Sequence, residues 1–347
     1  MDHTLVIPTF NRPYLLGKLL DHLRRSNVSS EVIIVDSSAA EALATNAKVI
    51  ADADIKCRYY SFAPDTRPQR KFAEGLALVQ TPYVSFCADD DVVFLGALTE
   101  CLSILRQQAD VIGCDGVYLG FEPSNVPISI TAEYDGPSCD CDEPILRIAK
   151  RLDRYEATTY SVYRTEIAQR VFDAAADFGS ALFWELFTTI APLGLGKFIR
   201  LRSVYAARRA GAPTIDMHWH PMLWLKEDQD GFVSAAHEYL TRLADFLCEQ
   251  GVDDLDWKKL AWLHVPYVRK ECPDFALTGL ADVRLSQPPV TPAPAPRSLP
   301  GRIRDKLLSR SSQRSKTIGL FEVFPGVSDE ALSSAIADLA SYCARQH

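Results

Sequence analysis

Apolar and polar positions follow two periods along this chain, and the switches between them mark out its elements. Thr4–Thr9 is a short apolar run, read as a strand. Pro13 then opens a helix with Leu15, Leu16, Leu19, Leu20 and Leu23 on one face. Glu31–Asp36 is an unbroken apolar run of strand length, the pattern of a strand covered on both faces. Ala39–Ala51 predicts a helix, Lys56–Phe62 a third strand and Pro68–Val79 another helix. Tyr83–Ala88 reads as a fourth strand, Leu98–Arg106 as a helix and Asp110–Leu119 as a strand. Strands and helices alternating at this length imply the α/β class, a mostly parallel sheet with helices on both faces.

The rhythm changes beyond about residue 120. Residues 121–142 are rich in Pro, Gly, Ser and Asp and predict loops or short strands. Thr158–Arg164 reads as a strand, Ala181–Ile190 as a helix with an aromatic apolar face, and Lys197–Arg208 as β-like. Residues 213–286 form a helical region, with amphipathic stretches at Gly231–Gln250 and Trp257–Lys270. Residues 287–300 are proline-rich and predict a linker or an extended brace. Within 301–347, a basic stretch precedes a last helix, Asp329–Arg345, with Leu332, Ile336, Leu339 and Tyr342 on one face.

Composition narrows the class. Apolar residues make up 47% of the 347 positions, enough for a large core. The net charge of −8 argues against a nucleic-acid partner. No apolar run reaches the roughly 18 residues of a membrane span, and the chain enters a strand without a leader-like segment. The nine cysteines are scattered, several inside apolar runs, as expected of reduced thiols in a cytoplasmic protein. Cys139 and Cys141 do not match zinc-knuckle spacing and read as free thiols in a loop.

Candidate chemistry gathers at the strand ends, where open α/β sheets bind their ligands. Those ends are Pro8–Arg12, Asp36-Ser37-Ser38, Ala63–Arg70 and Asp89-Asp90-Asp91, all polar. Three adjacent carboxylates ending an apolar strand repel one another and are costly to desolvate. A hard cation, Mn2+ or Mg2+, relieves that cost and commonly brings a diphosphate with it. The competing reading is a helix cap, Asp90 or Asp91 at the start of Gly96–Gln108, although a cap needs only one Asp. Asp36 likewise admits a cap reading, for the helix near Ala39. Arg70 and Lys71 admit a solvated face, and Arg12 a helix start before Pro13.

Leu5–Pro13, Val32–Ser38 and Tyr83–Asp91 together resemble the family-2 nucleotide-sugar glycosyltransferases of the GT-A fold, over roughly residues 4–210. The resemblance implies a GT-A domain over 1–212 and a sugar transferred with inversion from a nucleotide diphosphate, typically a UDP-sugar. The sugar would pass to a hydroxyl of a glycan, a lipid-linked or another acceptor. Pro8, Thr9, Asn11 and Arg12 would form the first donor-binding turn, and Asp36 would accept from the base. Arg70 and Lys71 would lie near the base or diphosphate. Within the triplet one carboxylate would meet ribose and another the metal, in the register Asp89-x-Asp91 or Asp90-Asp91. Asp36-Ser37-Ser38 departs from the usual Asp-Gly-Ser, and Ala88 stands where some members carry another Asp.

Such a transfer also needs a carboxylate base for the acceptor hydroxyl. The family position is matched by Glu185, set in Phe183-Trp184-Glu185-Leu186, where desolvation raises its proton affinity; Asp177 is second choice, and a solvent-facing Glu185 is the alternative. A third metal ligand from a later loop would be His218 or His220, of which His220 precedes Pro221; both admit a surface reading. Arg208 and Arg209 either reach the diphosphate or end a strand in solvent. Residues 297–316 carry seven Lys/Arg against one acid and predict either a solvated helix or a peripheral contact with the inner face of an acidic membrane. Two rival functions remain: an inactive nucleotide-sugar-binding module, which has little reason to keep Glu185, and a nucleotidyltransferase, which would carry a glycine-rich loop that Pro8–Pro13 lacks.

Overall fold

The computed structural model describes residues 2–123, 128–210, 221–253, 255–271 and 326–344. Strands β1 (His3–Thr9), β2 (Glu31–Asp36), β3 (Cys57–Ser61) and β4 (Tyr83–Phe86) alternate with helices α1 (Pro13–Arg25), α2 (Ala40–Asp52) and α3 (Pro68–Ala77). They form a parallel block in the order β3-β2-β1-β4. The chain therefore steps outward from β1 to β3 and returns to β1's other side as β4. That reversal opens a crevice at the carboxyl ends of β1 and β4.

The second half of the sheet is mixed. A two-residue strand β5 (Val92–Val93) precedes α4 (Leu95–Gln107), and β6 (Val111–Glu122) and β7 (Ser129–Tyr134) follow. After α5 (Pro144–Asp153) come β8 (Val162–Arg164), α6 (Thr165–Ala175), α7 (Ala181–Leu195) and β9 (Lys197–Arg209). The nine-stranded sheet continues β4-β8-β6-β9-β5, with β7 on β6. Here β6 and β9 run parallel, whereas β8 is antiparallel to β4 and β6, and β5 to β9.

Period-two alternation divides the core. Leu5, Ile7, Val32 and Ile34 pack on one face with α1 and α4. Val6, Ile33, Val35, Val84 and Phe86 pack on the other with α3, α6 and α7. That second core extends through α8 (Pro221–Glu227), α9 (Gln229–Glu249) and α10 (Trp257–Glu271), with Phe183 of α7 against Trp224, Phe232 and Tyr239. The last helix, α11 (Asp329–Ala344), lays Leu332, Ala335, Leu339 and Tyr342 on Val92, Phe121 and Val204. Among the described residues no helix is long and apolar enough to cross a membrane.

Two helices, α5 and α6, were not anticipated. In α5 the arginines Arg147 and Arg151 lie on the buried face and mask the apolar period. Arg147 donates to the Leu193 and Gly194 carbonyls, closing the C-terminus of α7. The strand expected over Thr158–Arg164 contracts to Val162–Arg164, because Ser161 N–H turns back to Thr158 O at 3.0 Å. Cys139 and Cys141 are free thiols, as expected, and Cys139 bridges to Phe198 in a backbone pair.

One ion cluster lies deep in this half. Asp115 of β6 and Arg200 of β9 are register partners and meet through two contacts of 2.8 Å, both side chains without exposed surface. Arg200 also binds Glu156. Arg200→Met would leave the fully buried Asp115 carboxylate without its cation and take one of the cations from Glu156, and should cost about 3–5 kcal/mol. Urea unfolding reads the loss, and an unchanged midpoint would contradict the assignment.

Candidate active site

The crevice between β1 and β4 is lined by what the two strand ends deliver. Thr9 Oγ1 donates to Asp89 Oδ2 at 2.7 Å. Arg12, the N-cap position of α1, donates from Nη1 to Asp89 at 3.2 Å and to Asp90 at 2.8 Å. Burial pushes Asp89 up to about 6, against the pull of the Thr9 and Arg12 hydrogen bonds. The triplet caps no helix: α4 starts after Phe94, with no side-chain cap. Arg12 is thus a countercharge, and Asp89 and Asp90 are held at the cleft by it.

Asn11 makes the turn after β1. Its φ of 56° lies in the left-handed region, which Asn tolerates. Its N–H donates to Ser38 Oγ at 2.7 Å, and its Oδ1 accepts from Ala39 N at 2.9 Å. Helix α2 has no side-chain cap at its N-cap residue Ala39, so Asp36 does not play the capping role weighed for it. Asp36 is fully buried, and its oxygens accept from Ser38 N, Asn46 Nδ2 and Tyr59 OH, each at 2.8 Å. It ties the Asp36–Ser38 loop to α2 and β3 through these bonds.

Lys71 is not on a solvated face. Its ammonium donates to Thr9 O at 2.8 Å and Ser37 Oγ at 2.9 Å, tying the β1 and β2 ends to α3. Burial lowers its pKa to about 8 despite the charges of Asp36 and Asp89. Arg70 points outward and pairs with Asp177, whose side chain is 73% exposed. An exposed carboxylate already paired to an arginine is a poor general base, which removes the case for Asp177. Pro8 is buried within β1 and pairs with Val35.

The opposite wall comes from β7, β9, α7 and the loop between α5 and β8. Asp91 Oδ1 accepts from Arg209 N at 3.0 Å. Burial pushes Asp91 up to about 7; Arg208 pulls it down, and Asp90 and Asp89 push it higher. Glu185 is the one charged residue of α7, in a helix whose other side chains are almost all buried. It is half-buried and accepts from Tyr155 OH at 3.1 Å. Burial raises its pKa, opposed by Arg208 and the Tyr155 hydrogen bond. Arg208 donates to Tyr134 OH at 2.8 Å and lies 3.5 Å from Glu133. The charges of Asp90, Asp91, Arg208 and Glu185 all act on the Tyr160 phenol. The strand-end arginine and Tyr134, Tyr155 and Tyr160 thus interact with the acidic strand end or with Glu185. Sequence reasoning left Arg208 open and passed over the tyrosines: Tyr134 and Tyr160 sit in segments read as loop or strand, and Tyr155 in a stretch that carried no pattern.

A divalent ion fits this donor set at Asp91. Among the described residues no three of His, Cys, Asp and Glu form a ready-made metal cage. A nucleotide-bound Mg2+ or Mn2+ does not need one, since one or two carboxylates and the phosphates suffice. A carboxylate whose proton affinity is raised by burial and by like charges gains most from such a cation. His218 and His220, weighed as further ligands, lie outside the described residues, as does the basic stretch 297–316.

The raised pKa of Asp91 has a sign for stability. The folded chain binds this proton more tightly than the unfolded chain, whose aspartate titrates near 3.8. The resulting stabilisation is complete below that value and is lost as the pH rises through about 7. Asp91→Asn keeps an acceptor for Arg209 N–H and removes the charge. In metal-free buffer it should melt higher than the parent at pH 8 and equally at pH 3.5. A lower melting point at pH 8 would contradict the charge account.

Comparisons with known proteins agree with this architecture. Residues 4–172 match the family described as glycosyl transferase family 2. A search of the curated proteins finds no match. Among solved structures, S. aureus TarS 1–349 in complex with UDP-GlcNAc is similar at a TM-score of 0.55 and 12% identity, covering 99% of this chain and 90% of that one. The same protein in complex with UDP gives 0.53 and 15%, covering 82% and 76%. Identities this low speak to fold alone. Residues 4–172 are thus similar to glycosyl transferase family 2, and the chain has the GT-A fold.

Proposed function

We propose that the protein is a metal-dependent inverting glycosyltransferase that moves a sugar from a UDP-sugar to a hydroxyl of a glycan or a lipid-linked carbohydrate. The observation that carries this reading is the pair of carboxylates, Asp91 and Glu185, both acted on by Arg208 from β9. One belongs to the acidic strand end and the other to the far wall. A donor held at the first and an acceptor at the second would meet between them.

The donor half uses the β1–β4 crevice. Thr9, Asn11, Arg12 and the Asp89–Asp90 pair take the nucleoside end of the donor, with Lys71 holding the β1 and β2 ends in place and Asp36 fixing their loop. Asp91 would hold Mn2+ or Mg2+, and the ion would supply charge neutralisation for the leaving group. Arg208 adds a fixed positive charge to the same end. Glu185 removes the proton of the acceptor hydroxyl, and its raised proton affinity suits it to that task. A carboxylate in the middle of an apolar helix costs stability, so its presence weighs against an inactive binding module.

Glu185→Gln should keep UDP binding and lose turnover by about two to four orders of magnitude. The base must be ionised, so parental kcat should fall as the pH drops through the Glu185 pKa, with that limb above the ordinary glutamate range. Initial rates of UDP release from a panel of UDP-sugars, with UDP affinity by calorimetry, check both. Near-parental turnover in Glu185→Gln would remove Glu185 as the base.

A further inference from the structure

We infer that Tyr155 is a positioning residue for Glu185, and that α10, from the C-terminal helical region, holds Tyr155 in place. The inference rests on Glu185 as the base, and three observations place Tyr155 in this role.

Tyr155 reaches Glu185 from another part of the chain, 30 residues away, through its hydroxyl and Oε1 at 3.1 Å. Burial and the Glu185 charge raise the phenol's pKa well above its ordinary value, so it stays protonated and donates. A phenol fixed on one oxygen selects one rotamer of the glutamate. Among the described residues no donor bonds Oε2, which leaves that oxygen to face an acceptor hydroxyl.

The ring is held from outside. Tyr267 of α10 meets it at a centroid distance of 5.0 Å and an interplanar angle of 64°. Helix α10 also packs on α5 and α9, so this contact belongs to a larger face. Residues 257–271 lie beyond the matched segment 4–172, as Glu185 does. The helical region thus has a task in the reaction: it buttresses the residue that orients the base.

The backbone at Tyr155 is held from inside. The next residue, Glu156, is bound by Arg200, by Arg154 Nε at 3.2 Å and by Gly136 N–H at 3.1 Å to each oxygen. Arg151 donates to its carbonyl at 3.4 Å. Position 136 must be glycine for this clamp, since a Cβ there would come 2.7 Å from Glu156 Oε2. A loop that would otherwise be free to shift is fixed by a buried ion cluster, and Tyr155 with it.

Other charges bear on Glu185. Arg208 from β9 favours its ionised form, and Tyr134 of β7 and Tyr160 of the loop feel its charge. Losing the Tyr155 hydroxyl leaves burial and Arg208 in place and removes the one hydrogen bond among the described residues that favours the carboxylate. The glutamate should then ionise at higher pH and sample more than one rotamer.

The test compares the full-length parent, Tyr155→Phe, Glu185→Gln and the double variant. Phe keeps the ring and its contact with Tyr267. With the UDP-sugar that the parent turns over fastest, Tyr155→Phe should lower kcat at pH 7 by roughly tenfold to a hundredfold, the worth of a hydrogen bond to a charged group. Its acid limb should move to higher pH, and its KM for the UDP-sugar should stay unchanged. Melting points give a second readout without substrate: Tyr155→Phe should lose more stability at pH 8, where Glu185 is charged, than at pH 4. That excess should vanish on the Glu185→Gln background. An acid limb that does not move, with a melting loss equal at both pH values, would overturn the inference while Glu185→Gln stays inactive. An active Glu185→Gln would instead overturn the base reading and the inference together.

Discussion

Everything at this site answers one electrostatic constraint: three carboxylates end a buried strand. Water cannot solvate them there, so the fold brings positive groups to them. Arg12 arrives from the start of α1, Arg208 and the Arg209 N–H arrive from β9, and Thr9 supplies a hydroxyl from the neighbouring strand. These groups do not cancel the cost at Asp91, which burial still holds near 7. A residual appetite for positive charge at a strand end is what a metal–nucleotide site requires.

The same constraint explains the division of the sheet. The parallel block β3-β2-β1-β4 provides a crevice by its strand order alone, and its loops are braced by Asn11, Asp36 and Lys71. The mixed block has no switch point of this kind. It provides rigidity instead, through the Asp115–Arg200 pair between β6 and β9 and the Glu156 clamp beside it. Arg208 on β9 and Glu185 on α7 are held relative to that buried cluster. Stability is lowered where the carboxylates face the cleft, while the buried ion cluster fixes the geometry of the mixed block because losing one partner of such a pair is costly.

The sequence made the first half legible because its elements are local and strongly periodic. Strand Glu31–Asp36 and helix Pro13–Arg25 appear within a residue or two of where their apolar patterns place them. The acidic triplet was legible too, since repulsion among adjacent carboxylates needs no tertiary knowledge. Asp36 was less so: that its partners are Asn46 and Tyr59 follows from packing of α2 and β3, which no spacing reveals. Helix α5 was hidden by arginines that turn inward to meet carbonyls and carboxylates. Tyr155 was invisible because its role depends on a contact 30 residues away and on a third segment, α10, that supports it.

The central claim is that the acidic end of β4 recognises a nucleotide diphosphate only together with a divalent cation. Calorimetric titration of UDP into the full-length protein, with and without Mn2+, tests it directly. The account predicts saturable binding in Mn2+ and a loss of at least an order of magnitude in affinity when the ion is chelated, because Asp90 and Asp91 would then repel the diphosphate with no divalent ion between them. Equal UDP affinity in both buffers would contradict it.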